Sequence, residues 1–444
     1  MRPAYPRPFK YVKAGSVGDA LRYMEEGYKL LAGGQSLSTL LKLGFTYEGL
    51  VDIFELDELR YVRVGERLVI GALVVHNDVA MHRAVVEHAP ALAKAAWHIA
   101  DLQVRNRGTI GGSLAHADPA ANYIPVLVAL GAEVVVREKD AVKRMTVESY
   151  VKGPYETEKG LVVEVSVPRW SRQAVAVFKK RGAAYPSLVV AAAAEDKDGT
   201  VAKSRLAVGG LYTRPVAAAG VLDGLSLEEL PGLVSRIVSE LPEGEPYDDL
   251  HMSYEDKKKV LPQLLSKVLK ELAESSAWSL PTFDRLTTWR GGGGFTTWIN
   301  GVEVPVDAEP RKLLVDFLRE RGAKEVKRGC DEGRCGACTV LMDGRAVKSC
   351  TIFAPQALGH RIETVRALQR GGELHPVQRA FLEEFASQCG YCTHGFIMTV
   401  VDYLSVDPEV RDKVLRLSVK NICRCTGYVN IIRAIKKAGK IQKA

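Results

Sequence analysis

The sequence predicts a multidomain α+β protein, on three observations. At 444 residues the chain is too long for one ordinary core. Its 47% apolar and 26% charged residues are those of a folded globular protein. Strand-like apolar runs mix with longer helical-period stretches, in segments whose composition shifts along the chain. These shifts predict domains at 1–170, 171–280, 295–372 and 373–444, with a linker at 281–294.

In the first segment YKLLAGG (28–34) reads as a strand entering a turn and QSLSTLLKLG (35–44) as the helix after it. RLVIGALVV (67–75) and AEVVVRE (132–138) read as strands, and ALAKAAWHIADLQV (91–104) as one helix. The second segment has strand-like runs at VAVFKK, SLVVAAAAE and SRLAVGGL, then helical stretches at 227–241 and 256–275, which is the order of a small α+β domain. DRLTTWRGGGG follows; four consecutive glycines read as a flexible linker, and no Lys-Ser or Lys-Thr follows to make them a phosphate loop. Asn300-Gly301 within FTTWINGVEVPVD predicts a hairpin, and PRKLLVDFLRERG a helix. From about residue 375 the pattern is helical, in HPVQRAFLEEFASQ and GFIMTVVDYLS.

The net charge of +8 is uneven: from Phe295 onward 24 Lys and Arg face 17 Asp and Glu. Without a nucleic-acid motif this reads as a docking or solvated face, and no nucleic-acid partner is expected. No apolar run approaches the roughly 18 residues of a membrane span, and MRPAYPRPFK lacks the apolar stretch of a signal peptide, so a cytoplasmic location is expected.

All eight cysteines lie between Cys330 and Cys425, which in a chain of this size suggests metal ligation rather than disulfides. Cys330, Cys335, Cys338 and Cys350 follow C-x4-C-x2-C-x11-C; the first three match the plant-type ferredoxin spacing. Gly329, Gly333 and Gly336 permit the tight or left-handed backbone by which a loop turns its N–H groups toward cluster sulfurs. Cys389, Cys392, Cys423 and Cys425 follow C-x2-C-x30-C-x-C, each pair beside a helical stretch. Two structural zinc sites are the competing reading, although neither group has the two C-x2-C pairs of a zinc ribbon.

GCDEGRCGACTV, QCGYCTHGF and CRCTGY carry a resemblance. Phe295 to about Ile432 resembles the small iron–sulfur subunit of the xanthine oxidase/carbon monoxide dehydrogenase (molybdenum hydroxylase) family. It implies a β-grasp ferredoxin-like domain and a four-helix domain, each holding a [2Fe-2S] cluster on the cysteines named above. It also implies that Gln388 touches the pterin of the molybdenum cofactor. His394 stands where that family commonly has Pro.

Two glycine turns precede the cysteines: Ala32, Gly33, Gly34, Gln35 and Ser36, and Thr109, Ile110, Gly111, Gly112 and Ser113. Neither is the G-x-G-x-x-G of a dinucleotide fold, and each alone could be a plain hairpin or helix cap, but two such turns can approach a pyrophosphate closely. With LQVRNRGTIGGSLAHADPAAN, residues 5 to 280 resemble the FAD-binding medium subunit of the same family. The resemblance implies a vanillyl-alcohol-oxidase-type FAD domain with a C-terminal α+β domain. It further implies FAD contacts from both turns, and from Leu161 and Lys179 beside the isoalloxazine. Asn122 stands where the family usually has Asp, which keeps a hydrogen-bond acceptor but no charge.

Iron–sulfur clusters carry single electrons and flavin accepts one or two, so the resemblance implies an electron-transfer component passing electrons from a molybdopterin subunit through two clusters to FAD and an external acceptor. It implies a large molybdopterin-binding partner and an assembly such as a dimer of heterodimers. Flavin-first order departs from single-chain xanthine dehydrogenases. The absence of cysteine before Cys330 disfavours the branch whose flavin subunit holds a [4Fe-4S] cluster.

Overall fold

The computed structural model describes residues 5–274, 280–289, 291 and 294–443. The chain forms two compact units: Met1–Glu55, Asp101–Gly108 and Thr288–Ala444 in the first, Leu56–Ala100 and Thr109–Thr287 in the second. The start of the chain and an eight-residue excursion therefore share a unit with all eight cysteines.

The first unit opens with a parallel three-stranded sheet in the order Lys10–Lys13, Gly49–Asp52, Lys29–Leu31. Helix Val17–Glu25 is started by Ser16, whose hydroxyl accepts the N–H of Asp19 at 3.1 Å. A mixed five-stranded sheet runs Val302–Pro305, Thr296–Ile299, Arg361–Glu363, Thr339–Met342, Arg345–Lys348. Its first hairpin turns at Asn300 (φ 51°) and Gly301 (φ 85°), the backbone that an Asn-Gly turn supplies. Helices Pro376–Glu383, Thr393–Val406, Asp412–Ser418 and Val429–Lys443 follow. The N-terminal sheet is fastened to the cysteine-bearing half by the Phe9 ring, edge-on to Phe353 at 5.2 Å, and by Gln356 donating to Asp52 at 3.1 Å.

His360 closes the same seam. Its ring nitrogens face Asp343 at 2.7 Å and Glu55 at 3.0 Å, and Glu55 also pairs with Lys13. Burial works to lower the His360 pKa, but the two carboxylates outweigh it and the net direction is upward; Glu55 is held below the usual carboxylate range against its own burial. The raised histidine contributes stability that is complete below its unfolded value of about 6.5 and is lost as pH rises through the higher folded value. The melting temperature of the full chain is expected to fall more on raising the pH from about 6 to about 9 than that of His360→Gln. Parallel curves for the two proteins would remove His360 as the cause.

The stretch expected to be one helix over 91–104 is two, Pro90–Trp97 and Leu102–Arg105. Ala100 lies at φ 36°, and the Asp101 carboxylate accepts the N–H of Val104 at 3.2 Å. An aspartate at that position starts a new helix more readily than it continues an old one. The short second helix is buried in the first unit, where Arg105 donates to Leu417 O (2.8 Å) and Ser418 Oγ (3.1 Å). Asn106 there donates to Ala346 O (2.8 Å) and Asp402 Oδ2 (2.7 Å).

The second unit holds an antiparallel sheet ordered Val62–Val64, Arg67–Gly71, Leu161–Pro168, Glu133–Arg137, Val142–Thr146. Beside it in sequence is the meander Arg172–Phe178, Leu188–Lys197, Thr200–Gly209, Val216–Ala219. Helix Tyr254–Glu274 packs on the meander through Leu261, Leu264, Leu265, Val268, Leu269 and Leu272, a helical-period apolar stripe.

The expected linker is fastened for much of its length. In the second unit, Phe283 N–H donates to Met81 O at 2.9 Å, Arg83 pairs with Asp284 at 2.7 Å, and Thr287 donates to Asp78 from both N–H and hydroxyl. In the first unit, buried Trp289 meets Phe54 edge-on at 5.4 Å, and a Cβ on Gly291 would fall 2.0 Å from the Glu55 carboxylate. Arg290, Gly292 and Gly293 of that linker lie outside the described residues. Four glycines dominate the composition of the stretch, whereas Phe283, Asp284, Thr287 and Trp289 carry its contacts. Among the described residues no helix is long and apolar enough to cross a membrane.

Candidate functional site

The first cysteine group lies on a loop that only special backbone geometry allows. Asp331, Gly333 and Gly336 have φ of 59°, 69° and 73°. This curls the loop so that the N–H groups of Glu332, Arg334 and Cys335 point at the Cys330 sulfur, at 3.5, 3.3 and 3.3 Å. The neighbouring Cys335 thiol, together with these N–H groups, holds the Cys330 thiol down to about 5. A Cβ on Gly329 would sit 2.7 Å from the Cys335 sulfur. Cys338 and Cys350 are buried, the latter in the turn Ser349–Thr351.

The second group lies just ahead of two helices. Cys389 and Cys392 precede Thr393–Val406; Cys423 and Cys425 precede Val429–Lys443. The Cys423 sulfur accepts from the N–H and hydroxyl of Thr426 at 3.4 and 3.2 Å. Cys389 and Cys425 are exposed, with sulfurs 3.5 Å apart.

The Cys389 and Cys425 sulfurs, from the two ends of the second group, lie 3.5 Å apart, and in the first group the Cys330 and Cys335 thiols shift one another's ionisation in opposite directions. Each group offers four free thiols, the donor set by which a [2Fe-2S] cluster would be held. The donors fit the clusters that the spacing implies.

Sequence reasoning missed the residues that join the two groups. The N–H of Ile422, beside Cys423, donates to the carbonyl of Cys335 at 2.9 Å. Asn421 donates to Gly336 O at 3.2 Å, and a Cβ on Gly336 would fall 2.5 Å from Asn421. Gln103, fully buried, donates toward Thr399 (2.7 Å), Asn421 (3.1 Å) and Thr339 (3.3 Å), so the excursion Asp101–Gly108 reaches both cysteine loops. Lys348 pairs with buried Asp101 and donates to Gly333 O at 2.6 Å. No motif marks these residues; only the fold brings them together.

The first glycine turn lies in the same unit. Gly34 takes φ 72°, and a Cβ on Gly33 would fall 1.9 Å from the Arg107 carbonyl oxygen. Gln35 donates to Gly33 O at 2.9 Å and accepts from the Thr351 hydroxyl at 3.2 Å, so this turn is tied to the residue after Cys350. Ala32 and Ser36 flank it, and Ser36 leads into helix Leu37–Lys42.

The second turn lies in the other unit, at the start of helix Ile110–His116, with Thr109 as its cap. Its N–H groups already have protein acceptors: Ile110 to Val74 O, Gly111 to Ala72 O, Gly112 to Thr109 Oγ1 and Ser113 to Thr109 O. What the turn presents is the exposed Gly112 and the hydroxyl of half-buried Ser113, rather than the backbone donors expected of it. A Cβ on Gly111 would fall 2.5 Å from Ala72.

The remaining expected residues are scattered. Asn122 is buried and donates to Ala95 O at 3.3 Å. Leu161 is fully buried in its strand, so its backbone rather than its side chain is what could meet a ligand. The Lys179 ammonium donates to Ala184 O at 2.9 Å and to His98 O, so its charge is held by backbone carbonyls. Gln388 is exposed next to Cys389. His394 is buried, and burial holds it to about 4 and therefore neutral.

Comparison with known proteins fits this arrangement. Residues 7–170 match the FAD binding domain in molybdopterin dehydrogenase, 298–361 the 2Fe-2S iron-sulfur cluster binding domain, and 364–436 the [2Fe-2S] binding domain. The chain is 34% identical over 284 residues to the glyceraldehyde dehydrogenase medium chain of Sulfolobus acidocaldarius, covering 61% of this chain and 100% of the relative. Over 145 residues it is 49% identical to the 6-hydroxypseudooxynicotine dehydrogenase complex subunit beta of Paenarthrobacter nicotinovorans, covering 31% of this chain and 89% of the relative. Among solved structures, a carbon monoxide dehydrogenase chain from Hydrogenophaga pseudoflava aligns at TM-score 0.56 and 30% identity, over 61% of this chain and 98% of that one. Mixed α+β domains for FAD and two [2Fe-2S] clusters thus occur in one polypeptide with an electron-transfer role. The chain belongs to the molybdenum hydroxylase family of xanthine and carbon monoxide dehydrogenases, with the flavin-binding and iron–sulfur parts joined.

Proposed function

We propose that electrons from a large molybdopterin-binding subunit enter this chain at Cys389, Cys392, Cys423 and Cys425 and pass to Cys330, Cys335, Cys338 and Cys350. They then leave through FAD, held by Ala32–Ser36 and Thr109–Ser113, to an external acceptor. The single observation that carries the order is the bond from Ile422 N–H to the Cys335 carbonyl, which links a residue beside one ligand to another ligand of the next group. The bond between Gln35 and Thr351 supports placing the second of these groups nearest the flavin turn.

Docking of the large subunit at the Cys389 end is supported by what is exposed there. Phe385 (80% exposed), Leu382, Tyr391, Ile422, Val429 and Ile432 are apolar side chains open to solvent around Cys389 and Cys425. A patch of this kind beside two exposed ligands suits a partner that covers it. Gln388, in the same stretch, would touch the pterin. Asn122, Leu161 and Lys179 would line the flavin side through their buried or carbonyl-bound positions.

The finer folds follow from the same reading: a vanillyl-alcohol-oxidase-type domain over 1–170, an α+β domain over 171–280, a β-grasp domain over 295–372 and a helical domain over 373–444. The assembled enzyme would be a higher oligomer, such as a dimer of heterodimers, in the cytoplasm.

The test is reconstitution. The isolated chain, loaded with iron, sulfide and FAD, is expected to hold two clusters per flavin and to resist reduction by NAD(P)H. Addition of the molybdopterin subunit is expected to make substrate reduce it. Rapid reduction of the isolated chain by NAD(P)H would favour a self-sufficient flavin reductase instead.

A further inference from the structure

Lys42 ends the helix that follows the first glycine turn, far in sequence from every cysteine. Its ammonium donates to Asp331 O at 2.7 Å and to the carbonyl of Cys350. It thus reaches both ends of the first cysteine loop, one residue from Cys330 and on Cys350 itself. Both acceptors are carbonyls, so neither cancels its full charge. Lys348, the other lysine at this loop, has the buried carboxylate of Asp101 against it. The Cys389 end is different: Cys389 and Cys425 are open to solvent, where added charge is screened by water.

We propose that Lys42 sets the reduction potential of the Cys330/335/338/350 cluster, raising it relative to that of the Cys389/392/423/425 cluster. This rests on the proposed relay and gives it a direction. Taking up one electron adds one negative charge to the diiron cage, with no bond made or broken and no proton required. A fixed cation a few bonds from two ligands therefore favours the reduced form, and more so in a buried setting. Lys42 acts through this field and by holding the loop, and is a positioning residue rather than a catalytic one. That it belongs to the flavin-side segment means that seating this segment on the loop is also what supplies the charge.

The test is an EPR-monitored redox titration of the full, cluster-loaded chain, which reads the two clusters separately. In Lys42→Gln and in Lys42→Met, which keeps the packing of the stem, the reduced fraction of the first cluster is expected to fall. At the poise where the wild type is half reduced, its reduced-to-oxidised ratio should fall about tenfold, a shift of about 59 mV for a one-electron couple. The Cys389-side cluster should keep its midpoint, and Lys42→Arg should restore most of the gap. Thr351→Val, which removes the bond to Gln35 without removing charge, should leave both midpoints in place. An unchanged gap in Lys42→Gln and Lys42→Met at full iron content would overturn the proposal. Loss of iron in both variants would do so too, by reducing Lys42 to a staple of the loop. Should the relay itself be wrong, the shift would still be seen, whereas reconstituted activity with the large subunit would be absent from the wild type.

Discussion

Cys389→Ala is expected to leave a yellow, folded protein with half of its iron and no substrate-driven electron transfer. The Cys389 sulfur lies 3.5 Å from that of Cys425 and both are exposed, so in the proposed cluster the loss of one thiolate would open an iron to water. Nothing in the core depends on the side chain: Thr393–Val406 is held by buried Phe396, Met398, Val400 and Tyr403. The fold should therefore persist with a melting temperature close to that of the wild type. The first cluster and the flavin turns are built from other residues and should load normally. Iron and flavin analysis, an EPR spectrum retaining one of two signals, and turnover with the large subunit against dithionite reduction of the isolated chain check each part. Full iron content with normal turnover would remove Cys389 from the ligand set. Loss of all iron would mean that the two groups assemble as one, although separate loops carry them.

The local chemistry was legible in the sequence to an unequal degree. Cysteine spacing marked eight candidate ligands because ligation imposes spacing within a loop, and Asn300-Gly301 placed a hairpin because few residues take two positive φ angles in succession. The glycine turns were visible as turns, but the partners of their N–H groups were not. Ile110 and Gly111 bond to Val74 and Ala72, nearly forty residues back, and no local pattern reports that. Asp101 was hidden inside a plausible helix because helical period continues across it, while its carboxylate caps a new start. The linker misled in the opposite sense: four glycines outweighed Trp289, whose burial against Phe54 depends on a residue more than two hundred positions away. The bridging residues Gln103 and Asn421 and the cation Lys42 are ordinary polar residues in sequence. Their roles exist only because separate segments converge, and such convergence leaves no periodic trace.

Gly33→Ala is expected to strip the protein of flavin while sparing both clusters. The added methyl would sit 1.9 Å from the Arg107 carbonyl oxygen, 2.6 Å from its carbon and 2.9 Å from Gly108 Cα. All three are backbone atoms, so no side chain can rotate away, and either the turn or the Arg107–Gly108 segment must move. Arg107 cannot give easily: its guanidinium lies over the Phe54 ring at 3.6 Å and faces Trp289 at 5.1 Å, and the residue is buried. Overpacking against so rigid a neighbour costs about 3 kcal/mol. If the turn takes the displacement, that energy comes out of flavin affinity and weakens it by about a hundredfold. If Arg107–Gly108 takes it, Thr109 follows directly in the chain and the second turn is disturbed as well. Gly27→Ala is the control, since Gly27 also has positive φ (87°) but nothing within 4 Å of its absent Cβ. It should cost about 1 kcal/mol in stability and keep its FAD. Flavin per protein after gel filtration, with iron content measured on the same fractions, separates the two. Retention of stoichiometric FAD by Gly33→Ala at wild-type melting temperature would show that the turn does not approach Arg107 as closely as this structure has it, and the assignment of Ala32–Ser36 to the flavin would lose its physical basis.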